Sequence, residues 1–149
     1  MFDSDNGTIS LQDFLPYRLA TLANRISQSL ANKYQSQFGI SVSEWRVIAV
    51  LGEKRQASAV EITQTIAMDK VAVSRSVKKL IEKHIVKKIS SDLDHRLFYL
   101  QLTQKGKQLY DELVPLAYQH QQLALQEFSA EEKILLAKML DKLDHSNAT

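Results

Sequence analysis

Leu15, Leu19, Leu22, Ile26, Leu30, Tyr34 and Phe38 recur at steps of three and four, so the chain opens with a long amphipathic helix that Gly39 ends. Pro16 fits only its first turn, where the missing amide hydrogen has no intrahelical acceptor to lose. Ser41 and Glu44 stand at capping-box spacing, with Ile40 and Trp45 placed as a hydrophobic staple for a second helix that turns Trp45, Ile48, Ala49 and Leu51 inward. Ser58 and Glu61 repeat that spacing ahead of Ile62 and Ile66, predicting a short third helix from about Ala59 to Ala67. After the turn Met68-Asp69, Asp69 is suited to cap a fourth helix. On a wheel of about 100° per residue, Val73, Val77, Leu80 and Ile81 share one side of it, and Val71, Ala72, Arg75, Lys78 and Lys79 fall opposite.

Beyond Lys83 the period shortens. Ile85, Val86 and Ile89 suit one strand; in a second, Phe98, Leu100 and Leu102 alternate with Leu97, Tyr99 and Gln101, across a polar loop Ser90 to Arg96. Thr103 can cap a helix running through Leu109, Leu113, Leu116 and Leu123 to about Glu127, bent at Pro115. Ser129 and Glu132 mark a last helix containing Ile134, Leu135, Met139, Leu140 and Leu143. The expected fold is mainly α: a winged helix-turn-helix of order α-α-α-α-β-β-α-α in a single chain unit, 1–149. The winged helix-turn-helix lobe is 40–102, and 9–39 with 103–145 form a helical dimerisation region. The long apolar stripes at both chain ends have little else to cover them, so they are expected to pair with a second copy in a two-fold bundle.

Charge sharpens this picture. From Asp69 to Arg96 eight basic residues face four acidic ones, eight minus four giving +4, while the whole chain carries +2 and the remainder therefore −2. Phosphate neutralisation supplies the affinity of a DNA-binding surface and base edges its selectivity. Lys70, Lys78 and Lys79 suit phosphates, and Arg75 and Ser74 suit a base or a phosphate. Val71, outward near the helix start, suits a thymine methyl or is a harmless exposed apolar residue, and Ala72 shares its face. In the loop, Arg96 is placed for a minor groove, with Asp94 orienting it by a salt bridge and His95 between them, against a plain reading as a solvated charged loop that the preceding basic helix makes the weaker one.

Composition excludes other classes. With 149 residues and 44% hydrophobic content, a single domain can form its own core. Zero cysteines remove disulfides, thiolate zinc sites and thiol redox switching, consistent with a reducing compartment. The longest apolar run, Val47 to Leu51, falls far short of the ~20 residues that cross a bilayer, so no membrane partner and a cytoplasmic location are expected. His84, His95, His120 and His145 lie apart, outside metal-ligand spacings, and Asp141 with His145 reads as a surface pair. No nucleophile signature or Gly-rich phosphate loop occurs, so neither an enzyme, a metal site nor a cofactor is expected.

Asp69-Lys70-Val71-Ala72-Val73-Ser74-Arg75, Ile85-Val86-Lys87-Lys88, Asp94-His95-Arg96 and Leu102-Thr103-Gln104-Lys105-Gly106 together resemble the MarR family of bacterial winged-helix regulators. Gly39 to Val47 and Phe128 to Glu132 are similar to that family's second-helix start and last connection, and the resemblance spans about Leu15 to Leu143. It implies a homodimer on a pseudo-palindromic DNA operator, with a recognition helix in each major-groove half-site and a wing arginine in each flanking minor groove. It also implies repression relieved by a small aromatic or phenolic ligand. Tyr17, Arg18 and Trp45 are the ligand-site candidates, against a plain reading as core and solvated surface. The family often has Ser or Thr where Val71 and Ala72 stand, which weakens the case for base hydrogen bonds there. The cysteine of its peroxide-sensing members is absent. A winged-helix module gripping protein rather than DNA is the alternative reading.

Overall fold

In the computed structural model, which describes residues 7–66, 68–94 and 96–148, the first apolar stripe forms α1, Leu15–Phe38. Gly39 closes it at φ 65°, a left-handed conformation that glycine adopts without steric cost, and its amide bonds the Gln35 carbonyl at 3.0 Å. Then follow α2 (Val42–Lys54), α3 (Ala59–Ile66), α4 (Lys70–Glu82), β1 (Val86–Ser90), β2 (Phe98–Leu102), α5 (Gln104–Ala124) and α6 (Ala130–Asn147). This is the expected order. Ala67, the expected end of α3, lies outside the described residues, and α5 stops three residues before the expected Glu127. Among the described residues no helix is long and apolar enough to cross a membrane.

The chain divides into two compact units, one ending at Pro115 and the other beginning at Leu116, so the division falls inside α5. The core of the first unit is built from Tyr34, Ile40, Val47, Ile48, Leu51, Ile62, Val73, Leu80, Val86, Leu100 and Leu113, all buried. Each such aliphatic side chain contributes roughly 1.5–3 kcal/mol relative to exposure. Val47 and Val50 take the inward places that periodicity gives to Trp45 and Ala49, which are only half-buried. The second unit is different. Its α6 is capped by a complete capping box, Ser129 with Glu132, yet buries no residue.

The hairpin pairs antiparallel with Val86 opposite Leu102 and Ser90 opposite Phe98. Leu100 and Leu102 face the core, but Phe98, expected on the same face, is half exposed. Phe98 stands at the loop end of the hairpin, opposite Ser90, and its ring lies 5.9 Å from Lys88 Nζ. A third segment joins the sheet where the sequence shows no strand. Ala57 exchanges two backbone hydrogen bonds with Leu100, at 2.8 and 3.2 Å, and so ties the start of α3 to β2.

Candidate nucleic-acid interface

Asp69 caps α4 through its Oδ1, which accepts the Val71 amide at 3.3 Å. Val73, Val77 and Leu80 then face the core together with Ser76, whose burial the hydrophobic pattern does not show, whereas Ile81 is half-buried. On the opposite side Lys70, Val71, Ser74, Arg75, Lys78 and Lys79 are exposed. Ala72, predicted among them, is half-buried. Val71 is 59% exposed, an apolar contact surface beside four cations. None of Lys70, Arg75, Lys78 and Lys79 is in an ion pair among the described residues, so their charge is available to an external anion.

Two devices hold α4 in place. At its end the Ile85 amide bonds the Leu80 carbonyl at 2.9 Å and the His84 amide bonds the Ile81 carbonyl at 3.0 Å, with His84 at φ 59° in the position usually taken by glycine. Lys83 then reaches back to α2, donating to Glu44 Oε2 at 2.8 Å and to the Gly39 carbonyl at 3.0 Å. Spacing predicts that Glu44 closes a capping box with Ser41. Only half of that box forms: Ser41 Oγ accepts the Glu44 amide, while the buried Glu44 carboxylate serves Lys83. A buried carboxylate needs a cation more than a half-buried helix-start amide needs a cap. Sequence reasoning misses this link because its partners are 39 residues apart.

The wing loop has internal order. The Ser91 amide bonds the Leu97 carbonyl at 2.9 Å, and the Leu97 amide bonds the Asp94 carbonyl at 3.0 Å. Asp94 Oδ1 accepts the backbone amide of Arg96 at 2.9 Å. The expected Asp94–Arg96 salt bridge is therefore not the contact made: the carboxylate shapes the turn, and the exposed Arg96 guanidinium is left unpaired among the described residues. Leu93 at the tip is 99% exposed. His95 lies outside the described residues.

α3, α4 and the hairpin meet around a cavity of about 610 Å³. Val60, Val77, Ile81, Leu97, Phe98 and Leu100 give it apolar walls, and Ser74, Lys78, Lys88 and Arg96 also line it. This brings α4 and wing residues to one place, as a shared DNA-binding surface requires. Tyr17, Arg18 and Trp45 line no part of it. Tyr17 and Arg18 are exposed on α1, and Trp45 meets the buried Tyr34 edge-on at 5.1 Å between ring centroids. Burial pushes the Tyr34 hydroxyl up from 10.0 to about 12, and that hydroxyl donates to the Leu113 carbonyl at 3.1 Å. Among the described residues no group of three His, Cys, Asp or Glu side chains is arranged to hold a metal.

A family profile described as ArnR1-like, winged-helix domain matches residues 31–119. The HTH-type transcriptional regulator TcaR of Staphylococcus aureus (strain Newman) is 33% identical over 101 residues, 65% of this chain and 66% of that protein. The chain thus spans just under two thirds of the length of that curated relative. The crystal structure of a MarR/EmrR family transcriptional regulator from Acinetobacter sp. ADP1 superposes with a TM-score of 0.86 at 33% identity, covering 93% of this chain and 97% of that one. A mutant MarR from E. coli, complexed with operator DNA, shares the fold with a TM-score of 0.78 at 22% identity over 91% of this chain and 99% of that one.

Proposed function

Since the chain belongs to the MarR family of winged helix-turn-helix transcriptional regulators, we propose that it acts as a homodimeric repressor of a pseudo-palindromic operator. In this reading α4 enters the major groove and the wing follows the adjacent minor groove. The observation that carries it is the convergence of Ser74 and Lys78 of α4 with Arg96 of the wing around one cavity, all three exposed and free of ion pairs among the described residues. Lys70, Lys78 and Lys79 neutralise phosphates, Arg75 and Ser74 read a base edge, and Val71 with the half-buried Ala72 makes apolar contact with a thymine methyl. Asp94 holds the turn from which Arg96 reaches the minor groove, and His95, between them in sequence, belongs to the same contact. Two copies place their α4 helices about 34 Å apart, one turn of duplex.

Dimerisation is supported by the exposed apolar residues Leu19, Leu22 and Ile26 on α1 and Ile134, Leu135, Met139 and Leu140 on α6. The 610 Å³ cavity supports a ligand response: its apolar walls and cationic edge suit a small aromatic or phenolic anion, which would alter the spacing of α4 and wing. It is a better-built place than Tyr17, Arg18 and Trp45 for such a molecule, and it favours release by direct interference with the DNA surface.

The test is a gel-shift titration with DNA from upstream of the chain's own gene. Binding is expected to weaken by roughly 10³ to 10⁵ between 50 and 200 mM salt if 6 to 10 phosphates are neutralised. Addition of substituted benzoates or phenols should release the DNA. Salt-insensitive capture of a protein, with no DNA shifted, would instead establish the interaction-module alternative.

A further inference from the structure

A second cavity, of about 590 Å³, opens where the middle of α1 meets the start of α2. Asn24, Arg25 and Gln28 of α1, Ser43 and Arg46 of α2, and Met68 are among its lining residues. Among the described residues neither guanidinium has an ion pair or a side-chain hydrogen bond. The acids that stand nearest in sequence are already engaged. Glu44 is turned onto Lys83 at 2.8 Å, and Asp69, next to Met68, accepts the Val71 amide. Arg25 is exposed and Arg46 half-buried, so two cations share one concavity with no internal counter-charge among the described residues.

The place of this concavity in the fold says what would fill it. Met68 is followed directly by Asp69, the cap of α4, and the start of a recognition helix is the end that reaches base edges. The cavity therefore adjoins the DNA-facing end of α4 and continues the cationic surface beyond it. No aromatic side chain lines it, and its polar groups are guanidinium, amide and hydroxyl, a set that matches phosphate oxygens better than an aromatic ring. The planar fork of arginine bonds phosphate bidentately.

Resting on the DNA-binding reading, we infer that Arg25 and Arg46 clamp backbone phosphates beside the major-groove half-site, a third grip in addition to the recognition helix and the wing. The clamp carries no sequence information, and its role is to fix the register of α4 on the duplex.

The experiment is a fluorescence-anisotropy titration of two labelled duplexes, the upstream fragment and a random duplex of about 30 bp, from 50 to 200 mM salt. Every phosphate no longer neutralised lowers the slope of log K against log salt by about 0.9, and the dimer carries the arginine pair twice, so Arg25→Gln with Arg46→Gln should flatten it by about 3.6 on both duplexes. Arg25→Lys with Arg46→Lys should restore most of the slope, because the charge returns; thermal melting of both variants checks that the fold is intact. An unchanged slope in the glutamine variant, where Lys78→Gln lowers it, would overturn the clamp while leaving DNA binding in place. Normal DNA affinity with release by benzoate abolished would overturn it in favour of a small-anion site. If the native protein binds neither duplex, the DNA-binding reading itself fails.

Discussion

Arg75 and Arg96 carry the same charge but are held differently, and their substitutions should therefore differ in kind. Arg75 projects from the middle of a helix whose other side is locked by Val73, Val77 and Leu80, so its position relative to α4 is well defined. Bidentate contact with a guanine edge is worth about 1 to 3 kcal/mol of discrimination, and Arg75→Ala should lose that much on the operator and little on random DNA. Equal losses on both duplexes would make it a phosphate contact. Arg96 instead sits on a loop whose shape depends on Asp94 holding its amide at 2.9 Å. Arg96→Ala should weaken operator binding while leaving the melting temperature unchanged, since the exposed side chain buries nothing in the core. A fall in melting temperature alone would show that this residue supports the hairpin and does not contact DNA.

Elements in this fold meet at two glycines, and the neighbours of each decide how costly an added methyl becomes. At Gly106 in the first turn of α5, a Cβ would overlap the Ile85 carbonyl oxygen, a backbone atom just before β1. At Gly52 in α2 it would overlap the Tyr110 ring, and that ring lines a cavity of about 570 Å³ into which it can move. Gly106→Ala should accordingly cost about 3 kcal/mol and Gly52→Ala about 1, read by urea unfolding. The reverse order would mean that α5 shifts more readily than the ring. Tyr34 joins α1 to α5, and its hydroxyl is pushed up to about 12 against 10.0 when unfolded. That raised value means stability is fully present below pH 10 and falls between pH 10 and 12 as only the unfolded chain ionises, by about 1.4 kcal/mol per pH unit at most. Tyr34→Phe should remove this part of the alkaline loss, and at neutral pH cost about 1 kcal/mol for the hydrogen bond to Leu113. The element order, the caps at Ser58, Asp69 and Ser129 and the cationic face of α4 are legible in the sequence because each is a local pattern of period or spacing. The Ala57–Leu100 bridge, the Glu44–Lys83 pair and the cavity at Arg25 and Arg46 are not, because each depends on residues that only folding brings together. Asp94 stands out in the sequence, but its partner differs from the one charge pairing suggests: a carboxylate two residues before an amide has a short route to the backbone.

At the scale of the whole molecule, the exposed apolar residues of α6 are where the proposed dimer is tested. No residue of the helix is fully buried, although Ile134, Leu135, Met139 and Leu140 lie along it, and an 18-residue helix of this composition gains too little from its own hydrogen bonds to stand alone in water. If a second copy covers this stripe, a carboxylate placed in it must be buried unpaired, at a cost of several kcal/mol. Leu135→Glu should then convert the dimer to a monomer in sedimentation experiments at micromolar concentration. The consequence for DNA follows from linkage between half-sites. Two lobes joined in one body bind the second half-site at high effective concentration, a gain of about 10² to 10⁴ over a single lobe. The variant should lose that factor on a two-half-site operator, yet bind an isolated half-site as the native protein does, because α4 and the wing are untouched. Retained dimerisation would place the interface on the exposed face of α1, where Leu22→Glu becomes the deciding variant. Monomeric protein with undiminished operator affinity would show that one lobe recognises the site unaided.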